Sequence, residues 1–223
     1  MIGSPRVHHR LTDSTNERAK LLAAAGAPHG TLVTADEQTA GRGRQGRAWT
    51  APPRSALLMS VVLRELSEVL PLTAAVAICE AMPAGCAIKW PNDVWIDGRK
   101  VAGTLVEGRP RDGWAVLGIG LNVTTEAFPA ELAQTATSLR LAGVETDAES
   151  VLADLLRSLG KWLGAAPETV LKAWRSRDAL EGERVRWADG EGIASGIDEG
   201  GGLVVETGSG RVTLDAGEVH LLR

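Results

Sequence analysis

The stretch VWIDGRKVAGTLVEGRPRDGWAVLGIGLNV, residues 94–123, decides the fold. It contains three apolar runs rich in β-branched residues: Val94–Ile96, Val101–Glu107 and Ala115–Val123. Runs of this kind predict strands, and they are separated by turns at Asp97–Gly98 and at Gly113. Because a parallel crossover needs about a dozen residues or more, connections this short predict an antiparallel meander.

Further strands and helices are predicted on both sides of this meander. A capping box at Ser14–Glu17 predicts a helix over Asp13–Ala25. The other predicted elements are the strands Thr31–Asp36, Ser55–Leu63 and Ala87–Trp90 and the helices Leu72–Met82, Asp147–Leu163 and Glu168–Arg177. This mixture predicts the α+β class, with a mixed, mainly antiparallel sheet packed by helices.

The pattern changes after Leu180, where short β-like pieces are separated by closely spaced glycines. These pieces are Arg184–Trp187, Ile193–Ile197, Leu203–Thr207, Arg211–Leu214 and Val219–Leu222. Five short strands at this spacing predict a small C-terminal β barrel. We therefore predict two domains, residues 1–180 and residues 181–223.

The composition excludes several classes of protein. With 44% apolar and 23% charged residues, the chain is not intrinsically disordered. The 24 basic residues are outnumbered by 28 acidic ones, so no chain-wide positive field exists to hold DNA or an anionic membrane. Cys79 and Cys86 fit neither a metal quartet nor a disulfide framework, and no window approaches the roughly 18 apolar residues of a membrane span. We expect a cytoplasmic protein that contacts no membrane.

The segment Gly41–Arg47, GRGRQGR, carries three arginines and is called the arginine loop here. It matches G-x-G-x-x-G, but Pro52 and Pro53 follow closely and forbid the helix that the dinucleotide-binding motif requires. Because its three cations repel one another, the loop is expected to be mobile when empty and ordered around an anionic ligand. Two other interpretations stay open: a solvated basic hairpin tip, and a single-stranded nucleic-acid contact with Trp49 as the one nearby aromatic.

A second cluster of polar residues consists of Lys89–Asp93 (KWPND) and Gly98–Gly103 (GRKVAG). The hairpin between them predicts that Asp93 and Lys100 lie close together. An aspartate at a strand end is a candidate ligand for Mg²⁺, which favours one or two carboxylates plus substrate phosphates. Lys100 could reach an acyl or phosphoryl group. Taken singly, however, these residues are also common turn formers and solvated side chains.

Together, these strings resemble the motif series of the biotin protein ligases. The matching segments are Ser14–Asn16, Gly41–Arg47 with Trp49, Lys89–Asp93, Gly98–Gly103 and Gly118–Val123. The order and spacing agree over most of the first 125 residues. The resemblance implies a class II synthetase-like catalytic domain, and the β-rich tail resembles the small SH3-like C-terminal domain of that family.

The resemblance also implies an activity. The family joins biotin to ATP to give biotinyl-5'-adenylate and pyrophosphate. It then transfers biotin to one lysine of the biotin carboxyl carrier protein of acetyl-CoA carboxylase or a related carboxylase. The adenylate is itself the activated intermediate, so neither step requires an enzyme nucleophile. This agrees with the lack of a Ser/His/Asp or Cys/His grouping in the sequence.

Site residues follow from the resemblance. Lys100, Arg42 and Arg44 would be the catalytic residues. Biotin would be bound by Ser14, Thr15, Asn16, Gln38, Arg42, Gly43, Arg44 and Lys100. ATP would be bound by Arg44, Arg47, Trp49, Asn92, Lys100 and Asn122. Asp93 would be the ligand of Mg²⁺.

The sequence departs from the family pattern at both ends. Some family members carry an N-terminal DNA-binding domain, but here only residues 1–13 precede the first motif, so a short form without DNA binding is expected. The C-terminal string Glu218–Arg223 is one residue longer than the family's usual ending, which leaves a role for Arg223 open. We expect a monomer or a weak homodimer. The alternatives are a lipoate or octanoate protein ligase or transferase, and a nucleic-acid-binding module.

Overall fold

The computed structural model of the protein describes residues 1–82 and 85–222. The helices are α1 (Thr15–Ala24), α2 (Leu70–Ala81), α3 (Ala148–Trp162) and α4 (Pro167–Arg175). The first sheet is formed by β1 (Arg6–His9), β2 (Leu32–Ala35), β3 (Ala56–Leu63), β4 (Ala87–Lys89), β5 (Asp93–Ile96), β6 (Arg99–Arg109) and β7 (Trp114–Asn122). The second sheet is formed by β8 (Arg184–Trp187), β9 (Gly190–Ile197), β10 (Leu203–Thr207), β11 (Gly210–Leu214) and β12 (His220–Leu221).

The seven-stranded sheet has the order β1-β2-β3-β7-β6-β5-β4. Its β1–β2 pair is parallel and its other pairs are antiparallel. The predicted meander of β5, β6 and β7 is present, with positive φ angles at Asp97, Gly98 and Gly113 where the chain turns. The prediction of an α+β fold with a mixed, mainly antiparallel sheet is therefore confirmed.

Helices cover both faces of this sheet. On one face, Ala19 and Ala23 of α1 pack against Val62 and Val116. On the other face, α2 packs against β6 and is itself covered by α3 and α4. All eight residues of β3 are buried, since both of its faces are covered. This explains why β3 is a continuous apolar run and does not alternate between apolar and polar residues.

The C-terminal sheet is antiparallel and has the order β11-β10-β9-β8-β12. A barrel was predicted here, but within the described residues the sheet is not closed: β11 and β12 are its two edges and do not pair. The physical reason is length, because β12 has only two residues and offers too few hydrogen bonds to close a barrel. The division into residues 1–180 and 181–223 stays a prediction.

The C-terminal sheet packs against the rest of the molecule. Its Val185, Leu203 and Val205 are fully buried and belong to the same hydrophobic core as α2. The indole Nε1 of Trp90 donates a 2.9 Å hydrogen bond to the carbonyl oxygen of Gly201. The segment that carries the KWPND motif is therefore anchored to the second sheet.

The sequence analysis missed one strand, and one of its local predictions was wrong. Strand β1 was not predicted because Arg6–His9 contains three basic residues and is mostly exposed. The capping box is not formed, since Ser14 makes no side-chain cap hydrogen bond. Instead, the backbone N–H of Thr15 donates to Gln38 Oε1 at 2.7 Å. The predicted helix does begin here, but a distant residue accepts the hydrogen bond of its first backbone N–H.

No helix in the described part of the chain combines the length and apolar character needed to cross a bilayer.

Arg223, whose role was left open, lies outside the described residues.

Asp178, between α4 and the C-terminal sheet, is half-buried and has one unsatisfied carboxylate oxygen. Its Oδ1 accepts the N–H of Leu180 at 2.8 Å. Its Oδ2 is buried and has no hydrogen-bond partner among the residues described. Burial raises the pKa of Asp178 from 3.8 to about 6.

Because the folded-state pKa is the higher one, Asp178 contributes stability that is fully present below about pH 4 and lost as the pH rises through about 6. We expect the free energy of unfolding of the wild type, relative to Asp178→Asn, to fall across this window. Urea denaturation of both proteins at a series of pH values measures this difference. A difference that is constant with pH would contradict the assignment.

Candidate active site

One cavity of about 740 Å³ brings the predicted site residues together. It opens between the arginine loop, the β5–β6 hairpin, β7 and the end of the C-terminal sheet. Its walls include Ser14, Thr15, Asn16, Gln38, Arg42, Gly43, Arg44, Arg47, Trp49, Asn92, Asp93, Lys100 and Asn122. These are all of the residues that the sequence singled out, so none lies apart from the others. Their individual roles stay predictions.

Neutral polar side chains form the wall at the start of α1. Thr15 and Asn16 are buried, and Ser60 of β3 lies directly behind them. Ser60 Oγ lies 2.6 Å from Asn16 Oδ1 and 2.8 Å from Thr15 Oγ1. The amide of Asn16 also donates to Glu107 Oε2 on β6 at 2.8 Å. Sequence reasoning missed Ser60 and Glu107, because each is more than forty residues from its partners along the chain.

The arginine loop is a compact turn in the structure. Arg42 and Ala48 form an antiparallel bridge, and the N–H of Gly43 donates to the carbonyl of Arg47 at 2.7 Å. Gln45 and Gly46 have φ angles of 54° and 76°, which let the chain reverse direction. The glycine at position 46 serves this turn, since the left-handed region costs glycine little. The mobility of the empty loop stays a prediction.

Each arginine of the loop has a partner within the protein. Arg42 pairs with Glu17 at 2.6 Å, and Arg47 pairs with Glu218 at 2.5 Å. Arg44 donates to Asn92 Oδ1 at 3.2 Å. Burial lowers the pKa of Arg44, although the negative charge of Asp93 acts to raise it. The protein's own oxygens therefore offset the expected repulsion between the arginines.

Lys100 is placed by the hairpin and by a crossing segment. Its Nζ lies 2.6 Å from Asp93 Oδ1, so the predicted proximity of these two residues is confirmed. Its backbone N–H donates to the carbonyl of Thr135 at 2.7 Å, and its own carbonyl accepts from Thr137 at 2.8 Å. Lys100 is thus held at both its backbone and its ammonium group; it borders the cavity, and 30% of its side chain is exposed.

Trp49 lies on the backbone of β7. A Cβ added at Gly120 would lie 2.8 Å from Cδ2 of this indole and closer still to Cε2. Lys100 Nζ is 5.7 Å from the centroid of the Trp49 ring. The indole Nε1 is buried and lacks a hydrogen-bond partner within the described residues, although it borders the cavity. An unpaired buried donor at a cavity wall favours a ligand that accepts a hydrogen bond there.

The structure adds residues that the sequence analysis did not assign. Lys89 borders the cavity, and burial lowers its pKa while Asp93 and Glu218 oppose that shift. Glu218, His220 and Leu221 extend from the C-terminal sheet to the same cavity. Lys89 was within the KWPND string and could have been found there. The C-terminal residues reach the cavity only through tertiary packing, so the local sequence around them gives no sign of it.

The donor set offers little to a metal ion by itself. No group of three or more His, Cys, Asp or Glu side chains is suitably arranged anywhere in residues 1–82 and 85–222. Asp93 stands near Lys100, and one of its oxygens already accepts that ammonium. Such a set fits a metal held chiefly by substrate phosphates, as Mg²⁺ commonly is, and not an all-protein cage.

The cavity is lined by two chemically distinct sets of side chains. One set is charged and includes Lys89, Lys100, Arg44 and Arg47, together with Asp93 and Glu218. The other set consists of the neutral donors and acceptors of Ser14–Asn16 and Gln38. This arrangement suits a reaction in which two anionic groups are brought together while a neutral polar group is held nearby.

Comparisons with known proteins agree with this geometry. Residues 8–123 match the Biotin/lipoate A/B protein ligase family, and residues 182–222 match the Biotin protein ligase C terminal domain. The biotin–[acetyl-CoA-carboxylase] ligase of Mycobacterium tuberculosis is 38% identical over 237 residues, covering 95% of this chain and 87% of that protein. The bifunctional ligase/repressor BirA of Bacillus subtilis is 35% identical over 246 residues, covering 99% of this chain and 75% of that protein.

Among solved structures, the biotin protein ligase from Aquifex aeolicus in complex with biotin and ATP has a TM-score of 0.86 and 30% identity, covering 99% of both chains. The sequence matches, the fold and the cavity lead to the same conclusion. The chain belongs to the biotin/lipoate A/B protein ligase family and, within it, to the biotin protein ligases.

Proposed function

We propose that this protein activates biotin with ATP to give biotinyl-5'-adenylate and pyrophosphate, and then transfers biotin to a lysine of a biotin carboxyl carrier protein. The observation that carries the proposal is the single cavity in which all the assigned side chains meet. The names of its relatives support the same reaction, since they are ligases acting on acetyl-CoA carboxylase.

In the first step, a biotin carboxylate oxygen bonds to the α-phosphorus of ATP as pyrophosphate leaves. Both reactants are anions, so cations must reduce their repulsion and stabilise the charge that develops at phosphorus. Lys100 is the residue best placed for this role, because it borders the cavity and its ammonium is held by Asp93. Arg44 and Arg47 would hold phosphate oxygens with their planar guanidinium groups.

In the second step, the amine of the carrier lysine attacks the acyl carbon of the adenylate, and AMP leaves. The amine loses its proton in this step, and no covalent enzyme intermediate is required. Trp49 and the arginine loop border the cavity and would help to exclude water, which would otherwise hydrolyse the adenylate.

Mg²⁺ is part of the proposal, and Asp93 is the carboxylate that would hold it together with phosphate oxygens of ATP. When bound, the ion would supply further positive charge to the triphosphate. The absence of DNA binding, a monomeric or weakly dimeric state and a cytoplasmic location also stay predictions.

Two alternative functions fit the same site less well. A lipoate or octanoate ligase belongs to the same wider family, but its acyl chain has no group to use the polar wall at Ser14–Asn16 and Gln38. A nucleic-acid-binding module would need cations free to contact phosphates along a surface. Arg42 and Arg47 are instead paired with carboxylates at the cavity.

The activity can be tested with the purified protein, biotin, ATP, Mg²⁺ and a biotin carboxyl carrier domain. We expect pyrophosphate release that depends on biotin, and a carrier that gains the mass of one biotinyl group. Parallel reactions with lipoate or octanoate discriminate the first alternative. Carrier modification by octanoate and not by biotin would contradict the proposal.

Lys100→Ala tests the central residue. Removing one preorganised charge-stabilising group lowers rates by roughly 100- to 1000-fold, so we expect adenylate formation to fall by at least about 100-fold. Single-turnover formation of labelled adenylate measures this. The matched control is Lys172→Ala, which removes an exposed lysine of α4. A fully active Lys100→Ala protein with a normal melting temperature would refute the role.

Gly120→Ala tests the packing of Trp49 against β7. The added Cβ overlaps the indole, and overpacking of this kind costs about 1–3 kcal/mol. If Trp49 packs against adenine, the KM for ATP should rise roughly tenfold with a smaller change for biotin. Steady-state kinetics with each substrate varied in turn separates the two. Gly160→Ala in α3, where the new methyl meets nothing within 4 Å, is the control. An unchanged KM for ATP would remove Trp49 from the ATP site.

A further inference from the structure

The fold brings the two cysteines of the chain, Cys79 and Cys86, into contact. Cys79 lies in the last turn of α2, and Cys86 directly precedes β4. The thiol of Cys79 donates a hydrogen bond to Sγ of Cys86, and no disulfide joins the two sulfurs. Their spacing in the sequence indicated neither a metal site nor a disulfide framework. The packing of α2 against β4 nevertheless makes them a dithiol.

The two sulfurs differ in their access to solvent. Cys79 is buried and belongs to the hydrophobic core, whereas Cys86 is half-buried and packs against that core. A reagent in solution therefore meets Cys86 first. The thiolate is the reactive form of cysteine, so the charge around each sulfur also decides which of them attacks.

Arg177 brings a positive charge to this pair. Its backbone carbonyl accepts the N–H of Ile88, two residues after Cys86, at 2.7 Å, and its guanidinium donates to the carbonyl of Ala173 at 2.8 Å. The hydrogen bond from Cys79 lowers the pKa of Cys86, and the charge of Arg177 adds to this against the effect of burial. The same hydrogen bond, together with burial, raises the pKa of Cys79. Cys86 is thus the sulfur that ionises more readily.

Strand β4 connects the pair to the active-site cavity. Lys89, three residues after Cys86, borders the cavity and is paired in register with Asp93 of β5. Asp93 in turn holds the ammonium of Lys100 at 2.6 Å. A covalent bond between Cys79 and Cys86 is shorter than the hydrogen-bonded contact that they make here. Closing that bond therefore draws the start of β4 toward α2, and the strand that carries Lys89 moves with it.

We propose that Cys79 and Cys86 form a redox-active dithiol, which a low-molecular-weight disulfide converts to an intramolecular disulfide that ties α2 to the strand carrying Lys89. In the first step, the Cys86 thiolate attacks one sulfur of the reagent, the other sulfur leaves as a thiolate, and a mixed disulfide remains on Cys86. In the second step, Cys79 attacks Sγ of Cys86 and expels the second reagent thiolate. The protons of Cys79 and Cys86 pass to these two thiolates, so two protein thiols are oxidised and the reagent is reduced to two thiols.

Oxidised glutathione, added to the folded wild-type protein, tests the pair. After removal of the reagent and unfolding, iodoacetamide should alkylate both cysteines of the untreated protein and neither cysteine of the treated one. Mass spectrometry should find no glutathione left on the treated protein, because Cys79 displaces it. Dithiothreitol should restore both thiols. A treated protein that keeps both thiols, or that retains glutathione on Cys86, would overturn the inference.

Single serine substitutions separate the two roles. In Cys79→Ser, the second step is impossible, so we expect the mixed disulfide with glutathione to accumulate on Cys86. In Cys86→Ser, the buried Cys79 should stay unmodified as long as the protein is folded, which a thermal melt checks. Modification of Cys79 in Cys86→Ser at the rate seen for Cys86 in Cys79→Ser would contradict the assignment of the attacking sulfur. The wild-type measurement does not depend on the folding of either variant.

Arg177→Gln tests the contribution of the positive charge. In the Cys79→Ser background, we expect mixed-disulfide formation on Cys86 to slow by roughly threefold, because the loss of thiolate outweighs the gain in nucleophilicity. Arg157→Gln is the matched control, since Arg157 is an exposed arginine of α3 that pairs with Asp154. An equal rate in Arg177→Gln and Arg157→Gln would show that Arg177 does not activate Cys86.

Adenylate formation tests the connection to the cavity. We expect the oxidised wild type to form adenylate roughly tenfold more slowly than the reduced protein, because small displacements of reacting groups are costly. Dithiothreitol should restore the rate, and a variant with both cysteines replaced by serine should respond to neither reagent. Oxidation without a change in rate would overturn the connection. If the reduced protein forms no adenylate, the proposed function fails, whereas the alkylation measurement still decides whether the dithiol is redox-active.

Discussion

The site depends on holding several cations close together before any anionic ligand arrives. Arg42, Arg47 and Lys100 face one cavity, and each is paired with a carboxylate at 2.5–2.6 Å. Without these partners, repulsion would drive the side chains apart and the loop would lose its geometry. The carboxylates therefore determine where the positive charge is presented.

These carboxylates come from three separate parts of the fold. Glu17 belongs to α1, Asp93 to β5 and Glu218 to the segment before β12. The C-terminal sheet is thus part of the site as well as an appendage to the core, because Glu218 reaches Arg47 across 171 positions of sequence. The burial of Val185, Leu203 and Val205 in the shared hydrophobic core holds this sheet in place and so fixes the position of Glu218.

Sequence reasoning predicted what depends on local pattern. The meander of β5–β7 was predictable because its turns are short and its strands are apolar, and the close approach of Asp93 and Lys100 followed from that hairpin. The list of cavity residues followed from the resemblance to the biotin protein ligases and not from local pattern. By contrast, β1 was missed because its strand character comes from pairing with β2 and not from its own basic residues. The capping box is not formed: Gln38, 23 positions away, accepts the N–H of Thr15, and Glu17 pairs with Lys20 and Arg42.

Contacts between residues far apart in sequence determine the hydrogen bonding at the cavity wall. Ser60 and Glu107 lie on the neighbouring strands of β7, and helix α1 crosses the same face of the sheet. A Cβ at Gly118 of β7 would lie 2.9 Å from Cγ of Asn16, so only glycine lets α1 approach closely enough for Asn16 to bridge Ser60 and Glu107. A glycine in a strand interior normally weakens it. Here it brings a helix side chain into hydrogen-bond range of two strands at once, and the polarity of the cavity wall is a consequence of that close approach.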